Sequence, residues 1–267
     1  MAANEFIHKE LSYEVLGCAF EAFKTVGVGF SEIIYHKVFH ENLTQRGLDA
    51  RYKVRAHLDY RSKRVAQFEI DEIVEDKLVV ELKDLQIGFI PENYAQVIAY
   101  LKLANLRLGL LINFGLHRAF PKRVIFDARR DNDEESWDKG FFRNFSKKSI
   151  VDAVVASIRN VDKEIGAGYH SKIYKTALGI ELEQNHISYH DKVQINFAIK
   201  NIQLNPFEID LWLVEDSILL NVLAGKDKPK LHDLLRTRSY LRHLNLHQGL
   251  IVYWSITNLQ LYGIYEP

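Results

Sequence analysis

The chain repeats itself, and this limits its fold more than any other feature. Phe-Glu-Ile-Asp occurs at 68–71 and again at 207–210, 139 positions later (207 − 68). Val-Glu-Asp occurs at 74–76 and at 214–216, 140 positions later (214 − 74), so one residue is inserted between the two matches. The register extends outwards. Gly29 and Tyr35 match Gly168 and Tyr174, Tyr100-Leu101-Lys102 matches Tyr240-Leu241-Arg242, and Gly109-Leu110 matches Gly249-Leu250. Near-constant spacing over so much of each copy indicates a tandem duplication, and the period is far too long for a solenoid. A chain of 267 residues accommodates two domains of ordinary size. The sequence predicts a first domain over 1–126, a charged linker over 127–149 and a second domain over 150–267.

The most chemically informative stretch is the acidic segment around the first match. Phe68 to Val74 and Leu78 to Lys83 are apolar-patterned runs flanking the polar turn Glu75-Asp76-Lys77, which predicts two antiparallel strands. Residues two apart on a strand share a face, so Glu81 and Lys83 point one way and Leu82 the other, and the hairpin can bring Asp71 beside them. Two carboxylates and an ammonium at one spot suit a divalent cation and the activation of water. Taken alone, such a cluster is more often a solvated hairpin with a salt bridge.

The second copy serves as an internal control. Asp71 is retained as Asp210, but Glu81 becomes Asn221, Lys83 becomes Leu223, Gln96 becomes Arg236 and Glu32 becomes Ser171. The apolar pattern survives while the polar constellation is dismantled. A fold needs the first and a chemical site needs the second, so the first copy reads as the site and the second as scaffold.

Composition excludes more than it assigns. Basic and acidic side chains balance at 35 each, so a nucleic-acid partner must be held by local patches. The single Cys18 falls in a helical apolar pattern and reads as a buried structural thiol. The amino terminus lacks the form of a signal peptide, and no apolar run reaches the ~20 residues of a membrane span. The expectation is a soluble protein of the reducing cytoplasm, with no membrane partner.

Residues 10–24 have helical periodicity, ended by Val26-Gly27-Val28-Gly29. A second helix starts near Ser31, a candidate N-cap, and sets Glu32 and Tyr35 on one face. Residues 51–60 alternate as a strand, with Arg51, Lys53 and Arg55 expected on one side. Pro91-Glu92 opens a helix on which Gln96 and Tyr100 share a face, and Leu108 to Phe114 reads as a buried strand. The stretch from Asp127 to Ser149 is dense in charge, and Trp137, Phe141, Phe142 and Phe145 suggest that part of it docks on a domain. The second copy repeats the order: two helices, a three-stranded antiparallel set, a helix near 231–244 and a strand at 249–254. Helices against a small mixed sheet fit both copies. His36, His40 and His57 have no metal-ligand spacing and read as surface or satisfied histidines. Arg238 and Arg242, four apart on the predicted helix, give a basic face with Arg236 that suits phosphate contacts, although Asp227 and Asp233 lie nearby.

The form Gly29-x-x-Glu32-x-x-Tyr35 is followed in order by Asp71, by Glu81-Leu82-Lys83, by Ala95-Gln96 with Tyr100-Leu101-Lys102, and by Asn113-Phe114-Gly115. Together these resemble the GxxExxY protein family within the PD-(D/E)XK nuclease superfamily, over about residues 10–126, with a degenerate second copy. The resemblance implies an α/β fold of two tandem restriction-endonuclease-like domains. It implies Mg²⁺, with Mn²⁺ as the alternative, held by Glu32, Asp71 and Glu81. It gives Lys83 the handling of the attacking water, and places Gln96 and Tyr100 at the same catalytic site. Ile70 stands where the superfamily's name has Pro. The implied activity is phosphodiester hydrolysis of nucleic acid, DNA ahead of RNA. The alternative function is a non-catalytic module that reuses the nuclease scaffold to bind nucleic acid or protein, which the neutral net charge and the decayed second copy would suit.

Overall fold

Two glycines after the first helix of each repeat set the chain's direction. A computed structural model describes residues 7–127, 145–196, 198–199, 202–203 and 205–267. Helix α1 (Lys9–Val26) stops at Gly27, whose φ of 81° lies where only glycine sits without strain. Helix α2 (Glu32–Gln45) then runs back along α1. In the second repeat α4 (Lys148–Ile165) stops at Gly166, with φ of 73°, before α5 (Ser171–Gln184). Ser31 occupies the N-cap of α2 without a side-chain cap bond. Cys18 is buried in α1 as a free thiol.

The first repeat's sheet has the order β1 (Ala50–Tyr60), β2 (Lys63–Val74), β3 (Leu78–Lys83), β4 (Leu108–Asn113), β5 (Phe120–Ile125). β2 and β3 are antiparallel, β3 and β4 parallel, β4 and β5 antiparallel. Helix α3 (Pro91–Ala104) makes the crossover that a parallel pair requires. Gly109 lets it approach: a Cβ there would come within 2.5 Å of Val97 Cγ1. The core combines the inner faces of α1 and α2 with Val74, Leu78, Val80, Leu82, Leu108, Leu110 and Ile112.

Glu75 and Asp76 both have positive φ, 54° and 49°, the requirement of a tight hairpin turn matched to strand twist. Their counterparts Glu215 and Asp216 do the same, at 49° and 46°. The Glu75 amide donates to the Asp49 carbonyl at 2.7 Å, and the Asp49 amide donates to the Glu75 carboxylate at 2.9 Å. Ser188 and Glu215 repeat this two-way clasp. The retained Val-Glu-Asp is therefore architecture.

One face assignment fails. Lys53 has φ of 53° inside β1, which breaks the alternation. Lys53 pairs with Glu69 at 2.8 Å, whereas Arg51 and Arg55 line a cavity with Leu103 and Leu106.

The second repeat keeps the sheet but not its unbroken edge. Its strands are β6 (Tyr189–His190), β7 (Val193–Ile195), β8 (Ala198–Ile199), β9 (Ile202–Gln203), β10 (Phe207–Ile209), β11 (Trp212–Val214), β12 (Ile218–Ala224), β13 (Gln248–Trp254) and β14 (Leu259–Tyr265). The main sheet has the order β14-β13-β12-β11-β6, with β12 and β13 parallel and α6 (Leu231–His243) between them in sequence. In place of the expected three-stranded antiparallel set there are short pieces, with β7 and β10 forming a separate pair. Pro206, which has no amide hydrogen to donate, immediately precedes β10, and the ladder breaks between Ile209 and Trp212.

Residues group into two compact units, Met1–Asp59 with Ala66–Arg129, and Tyr60–Val65 with Arg130–Pro267. Most of the charged stretch, including Trp137, Phe141 and Phe142, lies outside the described residues, while Phe145 is buried. No described helix is long and apolar enough to cross a membrane.

Candidate active site

The ladder between β2 and β3 runs from the turn as far as Glu72 and Val80. Just beyond it, the Leu82 amide donates to Asp71 Oδ2 at 2.9 Å, so a side chain takes an amide of β3. This holds the Asp71 carboxylate against β3, where Glu81 projects. Glu81 is 1% exposed, and its Oε1 accepts from the Lys83 ammonium. Its Oε2 is buried without a hydrogen-bond partner among the described residues. Burial, and then the Asp71 charge, raise the Glu81 pKa against the pull of Lys83. A buried carboxylate with one oxygen left open, beside a second carboxylate, is the chemistry of a cation site.

Glu32 opens α2 and reaches this cluster. The His36 ring holds the Glu32 pKa below the usual carboxylate value, with Lys83 adding to the effect against burial. Gln96 donates to the Tyr100 hydroxyl at 2.7 Å on α3. Burial, and then the Glu81 charge, raise the Tyr100 pKa. Asp71, Glu81 and Lys83 thus meet at the end of the hairpin, and Glu32 comes to Asp71 through the His36 ring between them, while Gln96 and Tyr100 bond one another on α3.

The donor set fits a divalent ion: carboxylate oxygens, one of them unpartnered. Among the described residues, no three His, Cys, Asp or Glu side chains are already gathered to hold an ion. Lys83 occupies one oxygen of Glu81, and Leu82 occupies one of Asp71.

Several neighbours of the site escape sequence reasoning. His36 is not a surface or satisfied histidine: it is 2% exposed, and its Nε2 lies 3.5 Å from Glu32 Oε1 and 3.6 Å from Asp71 Oδ2. The signal was available, since His36 lies one turn after Glu32 and becomes Lys175 in the second copy. His40 is satisfied by Glu72 at 3.0 Å, and His57 is exposed beside Asp59. Glu72 is fully buried, and burial followed by the Asp71 charge raises its pKa to about 8. Asn113 is also fully buried. It donates to the Leu85 and Ile87 carbonyls, each at 3.0 Å, and accepts from the Leu85 and Gly115 amides. It fixes the loop that follows Lys83.

The second repeat shows what replaces the site. Asp210 is exposed and pairs with Lys175 at 2.5 Å. Asn221 donates to Thr237 at 2.9 Å. Lys175, Asp210 and Trp212 line an open cavity of about 570 Å³. On α6, Arg238 pairs with Glu266 at 2.7 Å, Arg242 bonds the other oxygen of Glu266, and Arg236 lies 3.5 Å from Asp233.

Among solved structures, one described as "Crystal structure of SSO0001" matches with 13% sequence identity, covering 44% of this chain and 78% of that chain, at a TM-score of 0.29. No curated protein matches. The PD-(D/E)XK nuclease superfamily model matches twice, over residues 9–124 and 148–261, which agrees with a tandem duplication. With most of its length covered by that model and each repeat built as a five-stranded mixed sheet flanked by helices, the chain belongs to the PD-(D/E)XK nuclease superfamily.

Proposed function

We propose that this protein is a Mg²⁺-dependent nuclease that hydrolyses phosphodiester bonds, with one active site, in the first repeat, and that it belongs to the GxxExxY group of its superfamily. One observation carries the reading: the buried Glu81 carboxylate has one oxygen held by Lys83 and the other unpartnered, beside Asp71. Leaving a buried carboxylate oxygen bare costs on the order of 1–3 kcal/mol, a cost that an incoming cation relieves. Asp71, Glu81 and Glu32 would hold Mg²⁺, with Mn²⁺ able to replace it. When bound, the ion neutralises charge on the scissile phosphate and acidifies a water.

Lys83 is the group placed to orient the attacking water and take part in its deprotonation once it leaves Glu81. Tyr100, whose hydroxyl accepts from Gln96, would act at the same site. Asn113 keeps the loop after Lys83 in place, so that the ammonium stays aimed. The second repeat is read as non-catalytic, with Arg236, Arg238 and Arg242 contacting the phosphate backbone of a nucleic acid, DNA rather than RNA. Cytoplasmic action suits this substrate.

The test is incubation of the purified chain with Mg²⁺ or Mn²⁺ and single- and double-stranded DNA and RNA, beside Glu81→Gln. Cleavage by the wild type that is lost in the variant supports the reading. Binding without cleavage, across both metals and all substrates, would replace it with a non-catalytic binding module.

A further inference from the structure

Tyr52 and Lys53 depart from the rule of their strand. Successive residues of β1 should face opposite sides of the sheet. Lys53 instead has φ of 53°, a left-handed conformation that a lysine keeps only where its surroundings hold it there. Its ammonium lies 5.7 Å from the centre of the Tyr52 ring and bonds Glu69 at 2.8 Å, two residues before Asp71 on β2. The Tyr52 ring meets His36 edge-on, with centroids 6.1 Å apart, and His40 at 5.3 Å. His36 in turn lies 3.6 Å from Asp71 Oδ2. Tyr52 is thus one side chain away from the acidic cluster, and it is still 36% exposed.

The second repeat adds a contrast. Ser188 keeps the clasp of Asp49 139 positions later (188 − 49), which fixes the register of this strand. In that register Asp191 stands for Tyr52 and Lys192 for Lys53. Tyr52 therefore changes together with Glu81 and Lys83, whereas Tyr35, which bonds the Gly27 carbonyl, is kept as Tyr174.

We propose that Tyr52 is a stacking platform for an unpaired base of the substrate and that Lys53 contacts the adjoining phosphate, so that the first repeat takes single-stranded nucleic acid in preference to duplex. The inference rests on the nuclease reading above and names the form of its substrate. A base offers its face to a protein ring only when it is not stacked between the neighbours of a duplex, whereas phosphates are open to contact in both forms. The Lys53–Glu69 pair is part-exposed, and such a pair holds weakly enough for a phosphate to take over the ammonium.

The experiment is fluorescence anisotropy of the full chain with a labelled thymidine oligonucleotide, as a single strand and as a duplex with its complement. EDTA is present, so that binding is read without cleavage. The single strand should bind about tenfold more tightly than the duplex. Tyr52→Leu keeps an apolar cover over His36 and His40; it should weaken single-strand binding about tenfold and duplex binding by no more than about twofold. Tyr52→Phe, which keeps the ring, should bind as the wild type does. Lys53→Gln should flatten the salt slope of single-strand binding by about 1. Irradiation of the wild type with an iodouracil-substituted strand should attach that strand at Tyr52, which decides the matter even if Tyr52→Leu fails to fold. Equal affinity for the two forms, equal losses for both in Tyr52→Leu, or attachment only elsewhere overturns the platform. Cleavage in Mg²⁺ that is lost in Glu81→Gln would then leave the nuclease reading standing. Single-strand binding that needs the ring, with no cleavage in Mg²⁺ or Mn²⁺, upholds the platform and overturns the nuclease reading.

Discussion

Tyr35 donates its hydroxyl to the Gly27 carbonyl at 2.7 Å, and Tyr174 does the same to Gly166 at 2.9 Å. Tyr35 stacks on Phe114 with centroids 4.8 Å apart, and Tyr174 on Trp254 at 4.1 Å. Both copies keep this lock between the helix turn and the sheet. Three residues earlier, Glu32 has been exchanged for Ser171. On the function proposed above, the Gly-x-x-Glu-x-x-Tyr motif divides into a structural tyrosine and a chemical glutamate.

Tyr35→Phe should remove one buried hydrogen bond and cost about 1 kcal/mol of stability, with divalent-ion affinity unchanged. Glu32→Gln should do the reverse. Urea denaturation and calorimetric metal titration of the two variants give the comparison, and a Tyr35→Phe protein that keeps full stability would contradict the division.

Asp71→Asn, Glu81→Gln and Lys83→Met should each lower metal-dependent cleavage about a thousandfold or more, the scale of losing a charge-stabilising group. Asp210→Asn should change it little, because Asp210 is exposed and already paired with Lys175. Single-turnover rates on one substrate would decide this, and an Asp210 variant as damaged as the Asp71 variant would end the one-site reading.

Glu72 should make the metal-free protein less stable as pH rises. Its folded pKa of about 8 exceeds the ordinary value of 4.5, because of burial and then the Asp71 charge. The folded state thus holds the proton more tightly than the unfolded one. This contribution is complete below about pH 4.5 and is lost as pH climbs through about 8. His40, 3.0 Å away, is the partner of the neutral acid. In Glu72→Gln, which stays neutral, denaturation midpoints between pH 5 and 9 should fall less than in the wild type; equal slopes would refute the assignment.

Much of this architecture could be read from residues alone. The duplication, the acidic hairpin, the buried strand after α3 and the buried Cys18 all follow from spacing and periodicity. Lys53 does not, because a single left-handed residue inside a strand leaves no compositional mark. His36 escaped because a histidine's role depends on what packs against it, here Asp71, 35 positions further along (71 − 36). The broken strands of the second repeat escaped because period-two alternation survives even where the hydrogen-bond ladder does not.

The arginines of α6 should contribute less to nucleic-acid binding than their number suggests. Arg238 and Arg242 share the Glu266 carboxylate, which lowers their combined charge to about that of one cation, and Asp233 partly offsets Arg236. Replacing all three with Gln should flatten the slope of log affinity against log salt by about 1 to 2 rather than 3. Fluorescence anisotropy with a labelled duplex at several salt concentrations would measure it, and an unchanged slope would remove α6 from the binding surface.

The clasp between Asp49 and Glu75 has a consequence for errors of assembly. Slipping β2 by one residue against its neighbour would send the core side chains to water and bury the carboxylates. The clasp ties the turn from outside the hairpin, through two hydrogen bonds to a residue 26 positions away (75 − 49), and so works as a pawl against that slip. Ser188 and Glu215 keep the same pawl. A repeat in which Asn221 and Leu223 stand for Glu81 and Lys83 still cannot tolerate being threaded one notch out of line.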